Sequence, residues 1–187
     1  MAGHPTSQPA SGAMRHHDPV SATSVEIRPM QDADLDHLFQ MYADVVADGG
    51  AMPAGEASME VFVEGWIRNR TVFVARLGDE VAGSYFVRSN FPAFAAHIAQ
   101  AGYTVGRNAR RQGIGRLMVE DSLRKAVRLG YQAMMFNLVL ESNPSRQLYE
   151  SLGFEVIGRI PQAKADEAGI IYWRSLADLV EGTETHG

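Results

Sequence analysis

The chain has 187 residues, 45% hydrophobic content and a formal net charge of -5. That is enough apolar material for one core of single-domain size, and the acidic balance excludes general nucleic-acid binding. Cysteine is absent, which excludes disulfides, thiol nucleophiles and cysteine-ligated zinc, and no apolar stretch approaches the roughly 20 residues needed to cross a bilayer.

Residues 1–23 are rich in Pro, Ser, Ala, Gly and His, with no apolar run after their few charges. They are expected to form a disordered arm, not an export signal, and cytoplasmic residence follows as an expectation. His4, His16 and His17 lie on this arm; a flexible, Pro-rich segment does not hold ligands in fixed geometry, so no metal is expected.

Order is expected from Ser24, where Val25 and Ile27 alternate with polar residues as in a half-buried strand. A helix starts at Asp32 or Asp34, with Leu35, Leu38, Phe39, Tyr42 and Val46 on one face and Gly49-Gly50 as its stop. A second helix is expected over 59–68, burying Val61, Phe62, Trp66 and Ile67. Strands over 71–77 and 81–87 flank Gly78-Asp79-Glu80, a strong hairpin signal. Asn90-Phe91-Pro92 breaks the chain before a strand over 97–105. Gly102 lies inside that strand, where glycine marks a bulge or a close backbone approach.

Next come Arg110-Arg111-Gln112-Gly113-Ile114-Gly115, with Arg107 before and Arg116 after. Glycines permit tight turning, and a helix opening near Gly113 leaves unpaired N–H groups carrying positive partial charge. Such a junction suits a phosphate, and four arginines set a local charge opposite to the global one. A nucleotide-triphosphate loop would require Gly-Lys followed by Ser or Thr, but Arg116 and Leu117 follow Gly115. A dinucleotide fingerprint would require a small residue where Met118 stands.

The helix from Gly113 buries Val119, Leu123, Ala126 and Leu129 and ends at Gly130. Residues 134–140 form a nearly continuous apolar run, broken by Asn137, expected as a central strand covered on both faces. A short helix over 145–152 is closed by Gly153, and strands over 155–159 and 170–174 complete the order. Strand, anion loop, helix, strand makes a right-handed crossover, so the strands at 97–105 and 134–140 should be parallel, with a ligand at their C-terminal ends.

With these elements in place, the chain resembles the GCN5-related N-acetyltransferase superfamily. Arg110, Gly113 and Gly115 match that family's pyrophosphate motif at the usual distance beyond Val105, and Leu148-Tyr149-Glu150-Ser151-Leu152-Gly153-Phe154 matches its closing segment. The likeness covers 24–174, so 24–175 is expected as the acetyltransferase domain and 176–187 as a tail. It implies a mixed α/β (α+β) fold: a mostly antiparallel sheet of six to seven strands, a central parallel pair splayed at the cofactor site, and helices on both faces.

The resemblance further implies acetyl-CoA held by backbone N–H groups of Arg111, Gln112, Gly113, Ile114, Gly115 and Arg116. Its pantetheine arm would run beside Thr104 and Val105, with Arg110 and Asn143 as further contacts; the interval from Asn143 to Tyr149 is one residue shorter than the family's. Tyr149 holds the family position of the general acid that protonates the departing thiolate. For a base, His97 can titrate near neutrality, and Glu141 could order a water. A narrower likeness, to fungal azetidine-2-carboxylate acetyltransferases, implies that Gln100, Tyr103 and Asn137 line the acceptor pocket, with a bulge at Gly102 turning Gln100 and Tyr103 to one side. The expected activity is transfer of an acetyl group to a primary or secondary amine of a small molecule, such as an amino acid or a toxic analogue of one, without nucleic acid, membrane or metal. Homodimerisation stays open, as do a protein N-terminus or lysine as acceptor, and a non-catalytic acyl-CoA sensor.

Overall fold

Alternating and continuous apolar runs along the chain become seven strands in the computed structural model, which describes residues 24–49 and 57–181. The proposed arm, its histidines, and residues 50–56 and 182–187 lie outside the described residues. The strands are β1 (Val25–Pro29), β2 (Thr71–Leu77), β3 (Glu80–Ser89), β4 (Ile98–Val105), β5 (Ala133–Leu140), β6 (Glu155–Lys164) and β7 (Glu167–Ser175). They form one sheet in the order β1-β2-β3-β4-β5-β7-β6. Every neighbouring pair is antiparallel except β4 and β5, as the crossover rule requires.

Strand alternation divides two apolar clusters between the sheet faces. On one face, Val72, Val74 and Phe86 pack with Leu38, Met41 and Tyr42 of α1 (Leu35–Ala47) and with Phe62 and Trp66. Phe62 ends α2 (Met59–Phe62), which continues as a wider π-turn over Val63–Ile67. On the other face, Phe73, Ala75, Tyr85, Ala99 and Ala101 meet Ile114, Met118, Val119, Leu123 and Ala126 of α3 (Ile114–Arg128). The same cluster takes in Tyr149 of α4 (Arg146–Ser151) and Leu176, which is fully buried. Leu176 precedes α5 (Ala177–Glu181), so part of the segment expected as a tail is packed structure.

Several local expectations change. The β3–β4 register runs without a shift from Gly83↔Val105 to Ser89↔Ala99, so Gly102 makes no bulge. Its glycine serves the close approach instead: a Cβ there would stand 2.6 Å from Cε1 of Phe86. Leu129 is 46% exposed, because α3 ends at Arg128 and Gly130, at φ +88, turns the chain away. β5 is not covered throughout: its pairing with β7 shifts between Phe136 and Val139, and Leu138 in that irregularity is 49% exposed.

Candidate active site

Strands β4 and β5 pair only at Ile98↔Ala133 and Ala99↔Met134. Both continue well past that point, to Val105 and Leu140, so the sheet opens between them. Backbone groups facing this gap lose their ladder partners, and a ligand can take their place. The opening is part of a cleft of about 630 Å³. Tyr103, Thr104 and Val105 form one wall, and Leu140, Asn143, Ser145, Leu148 and Tyr149 the other. Arg110, Arg111 and Gly115 close one end.

At that end Gly113 is the N-cap of α3 and has φ +79, a left-handed conformation that L side chains adopt at a cost. The first helical bond after it runs from the Leu117 amide to the Gly113 carbonyl, at 3.2 Å. The amides of Ile114, Gly115 and Arg116 therefore precede any intrahelical partner and carry the positive end of the helix dipole. A Cβ on Gly113 would meet nothing within 4 Å. Glycine is favoured here by the dihedral angle and not by crowding, and the space beside it is open.

The arginines differ in availability. Arg107 donates to Asp48, at 2.7 Å, and Arg110 to the same carboxylate, at 3.2 Å. Arg107 first, and then Arg110, hold the Asp48 carboxyl below its ordinary range. Arg116 pairs with Glu120 and bonds Ser151. Arg111, at φ +64, makes no ion pair among the described residues, which leaves its guanidinium uncommitted at the cleft. Gln112 turns back to the Asn108 carbonyl.

Tyr149 is buried among aromatic rings, with Phe136 at 4.7 Å, Phe154 and Tyr172 at 5.9 Å, and Tyr103 at 6.5 Å between centroids. Burial pushes its phenol up to about 12, partly opposed by a hydrogen bond with Ser145. Asn143 accepts from the Ser145 amide at 2.9 Å and so shapes the start of α4. Thr104 Oγ1 is buried with no partner, an unmet hydrogen-bonding capacity in a residue of the cleft wall.

Of the other predicted residues, Tyr103 shares the cleft with Tyr149, whereas His97, Gln100, Asn137 and Glu141 are not among its lining residues. His97 precedes β4 and is exposed, bonded through Nδ1 to the Phe94 carbonyl. It lies about 20 Å along the strand from Tyr103 at an ordinary rise of about 3.4 Å per residue. Glu141 is exposed and paired with Arg159 at 2.9 Å, and that partner holds its carboxyl below the usual range. Gln100 and Tyr103 stay on opposite sheet faces because the bulge is missing. Each presumed acceptor contact is engaged elsewhere: Gln100 Oε1 accepts from Arg88, the Tyr103 hydroxyl bonds Ser122, and Asn137 exchanges two hydrogen bonds with Asn90. Burial also pushes the Tyr103 phenol up.

Sequence reasoning missed Lys164 and Glu167, which line the cleft from the β6–β7 turn. Lys164 donates to the Gly49 carbonyl, and Glu167 accepts from the Ser142 amide. Only the hairpin extending past Arg159 brings them there, and the polar edge-strand sequence gives no apolar periodicity from which to read it. Among the described residues no group of three or more His, Asp or Glu side chains could hold a metal, and no helix is long and apolar enough to cross a membrane.

Comparison with known proteins agrees with this geometry. Residues 37–154 match the model of the acetyltransferase (GNAT) family. N-acetyltransferase aca1 of Schizosaccharomyces pombe is 35% identical over 82 residues, a stretch covering 43% of this chain and 39% of that protein. A GCN5-related N-acetyltransferase structure from Kribbella flavida superposes with a TM-score of 0.76 at 29% identity, covering 81% of this chain and 97% of the other. The fold also matches yncA, a putative acetyltransferase from Salmonella typhimurium solved with its cofactor acetyl-CoA, with a TM-score of 0.72 at 18% identity over 82% and 95% of the two chains.

Proposed function

The chain belongs to the acetyltransferase (GNAT) family, and on that premise we propose that it is an acetyl-CoA-dependent N-acetyltransferase acting on a small amine, such as an amino acid or an analogue of one. The observation that carries the reading is the splay of β4 from β5 directly beneath the unpaired amides opening α3. The residues suit the donor. Gly113, Ile114, Gly115 and Arg116 would hold the pyrophosphate through backbone N–H groups, with Arg111 adding charge. Thr104, Val105 and Asn143 would flank the pantetheine, and the partnerless Thr104 hydroxyl is one group it could satisfy.

Bound there, acetyl-CoA supplies the acetyl group, which passes directly to the amine with release of the thiol. Positioning does most of this work, since holding both reactants in one cleft removes the entropic cost of their encounter. Tyr149 provides the proton for the departing sulfur from its phenolic oxygen. Its dry aromatic surroundings keep that phenol protonated at neutral pH and strengthen a hydrogen bond to developing negative charge. Water restores the Tyr149 proton, and the proton lost by the amine leaves to water through the open cleft, so neither transfer uses His97 or Glu141.

The test mixes the purified protein with acetyl-CoA and a panel of amines, amino acids and peptides, following free CoA and product mass. Turnover of small amines is expected. Turnover of peptides alone would move the acceptor class to protein termini or lysines, and binding of acetyl-CoA without any turnover would point to a sensor.

A further inference from the structure

On the α1–α2 face of the sheet, two arginines stand side by side without a carboxylate. The β2–β3 register ends at Thr71↔Val87, so the next cross-strand position pairs Arg70 with Arg88. In the following pair, Arg88 is opposite Gln100. Arg70, Arg88 and Gln100 thus lie in a row across the sheet. Like charges directly opposite each other destabilise a sheet, and here neither guanidinium has an ion pair among the described residues. Glu64, whose charge reaches Arg70, is paired with Arg68 at 3.0 Å.

The donors are only partly used. Arg70 lies over the Phe86 ring at 5.1 Å, and its Nη1 caps the carbonyls of Glu64 and Arg68 where the π-turn ends. Arg88 gives Nη2 to Gln100 Oε1. The Nε of each arginine is buried without a partner. Both burial and the nearby Arg88 charge act against the charged form of Arg70. Capping accounts for Arg70 alone. It leaves unexplained why a second, half-buried guanidinium is placed opposite the first, with an unmet donor and an amide orienting it. A paired, hydrogen-bonded anion would remove both the repulsion and the unmet donors.

The row does not line the cleft, but it adjoins the base of the opening between β4 and β5. Gln100 directly follows Ala99, the last β4 residue paired with β5, so the row ends where the two strands begin to part. We infer that Arg88 and Arg70 bind the carboxylate of the acceptor, so that the enzyme acetylates amines that also carry an acid group, with Gln100 as a positioning residue for Arg88. This rests on the acetyltransferase reading and narrows its acceptor. The carboxylate would be recognised by guanidinium groups, not by the neutral amides of Gln100 and Asn137.

The experiment compares L-proline, L-leucine and glycine with their carboxamides as acceptors at saturating acetyl-CoA. A carboxamide has the more acidic ammonium group and is the more available nucleophile at neutral pH, so preference for the acids cannot come from amine basicity. The acids should be favoured. For the best acid, Arg88→Met should raise KM roughly 100-fold, as expected when one partner of a buried charge pair is lost, while KM for the matching carboxamide rises far less and KM for acetyl-CoA stays unchanged. Calorimetric titration of that acid into CoA-loaded protein should show the same loss of affinity. Arg88→Lys, which keeps the charge without the fork, should recover part of it. Carboxamides used as well as acids, or an unchanged KM for the acid in folded Arg88→Met, would overturn the inference and leave the acetyltransferase reading standing. Failure of every amine in the panel would overturn that reading first.

Discussion

Tyr149 combines two properties that a thiolate-protonating acid needs. It lies in the cleft wall, and its environment disfavours the phenolate, with its pKa pushed up to about 12 chiefly by burial. A raised pKa keeps the proton on the donor below that value, so the acid remains competent across ordinary assay conditions. Tyr149→Phe should keep the ring packing against Phe136 and remove only the hydroxyl. We expect kcat to fall about 100-fold, at the low end for general acid catalysis, with little change in the affinity for acetyl-CoA. The wild-type kcat should show no alkaline loss due to this group below about pH 10, two units under its pKa. An alkaline limb centred below pH 9 that disappears in Tyr149→Phe would contradict the assignment, as would an unchanged kcat in the variant at every pH.

At the scale of elements, the site depends on how α1 is fastened to the sheet, since Val45 and Gly49 line the cleft and Asp48 engages Arg107 and Arg110. The fastening lies at the other end of the helix. Asp34, buried at its start, takes two hydrogen bonds from Arg28 of β1, at 2.7 and 2.8 Å, and one from the Gln31 amide. The Arg28 guanidinium, ahead of the opposing effect of burial, holds the Asp34 carboxyl below its ordinary value. A depressed carboxyl pKa adds stability that is fully present above the unfolded value of about 3.9 and is lost as pH falls through the folded value. Asp34→Asn should cost about 3 kcal/mol at pH 7, because it leaves Arg28 facing a neutral amide. The gap from wild type should narrow toward pH 2, as measured by urea unfolding at both pH values. A gap of equal size at both would show that the charge has no part in it. The sequence marked this helix start through its acidic residues, and it marked the β4–β5 crossover and the α3 turn through apolar runs and glycines. Such local signals survive because backbone geometry enforces them. The partner of Asp34, the row of arginines behind Gln100, and the extension of β6 and β7 that delivers Lys164 and Glu167 depend on register between distant segments, which no window of sequence contains. Gln100 and Tyr103 show the same limit, since their relative orientation turned on one strand register.

Across the whole molecule, the cleft joins segments far apart in the chain: α1, the end of β4, the turn into α3, the end of β5, α4 and the β6–β7 turn. A ligand contacting all of them binds only the assembled fold, so its binding energy adds to global stability. At a concentration 100 times its Kd, acetyl-CoA should stabilise the protein by about 2.7 kcal/mol, which for a domain of this size corresponds to a Tm rise of about 5–10 °C in a thermal melt. Gly113→Val separates this linkage from intrinsic stability. At φ +79 a β-branched residue is strained by about 1–3 kcal/mol, and relief of that strain must rotate or shift the amides that open α3. The variant should therefore melt lower on its own and also lose most of the acetyl-CoA shift. If the loop served only to turn the chain, the variant would melt lower yet keep the full shift, and the amides opening α3 would then not be the pyrophosphate site.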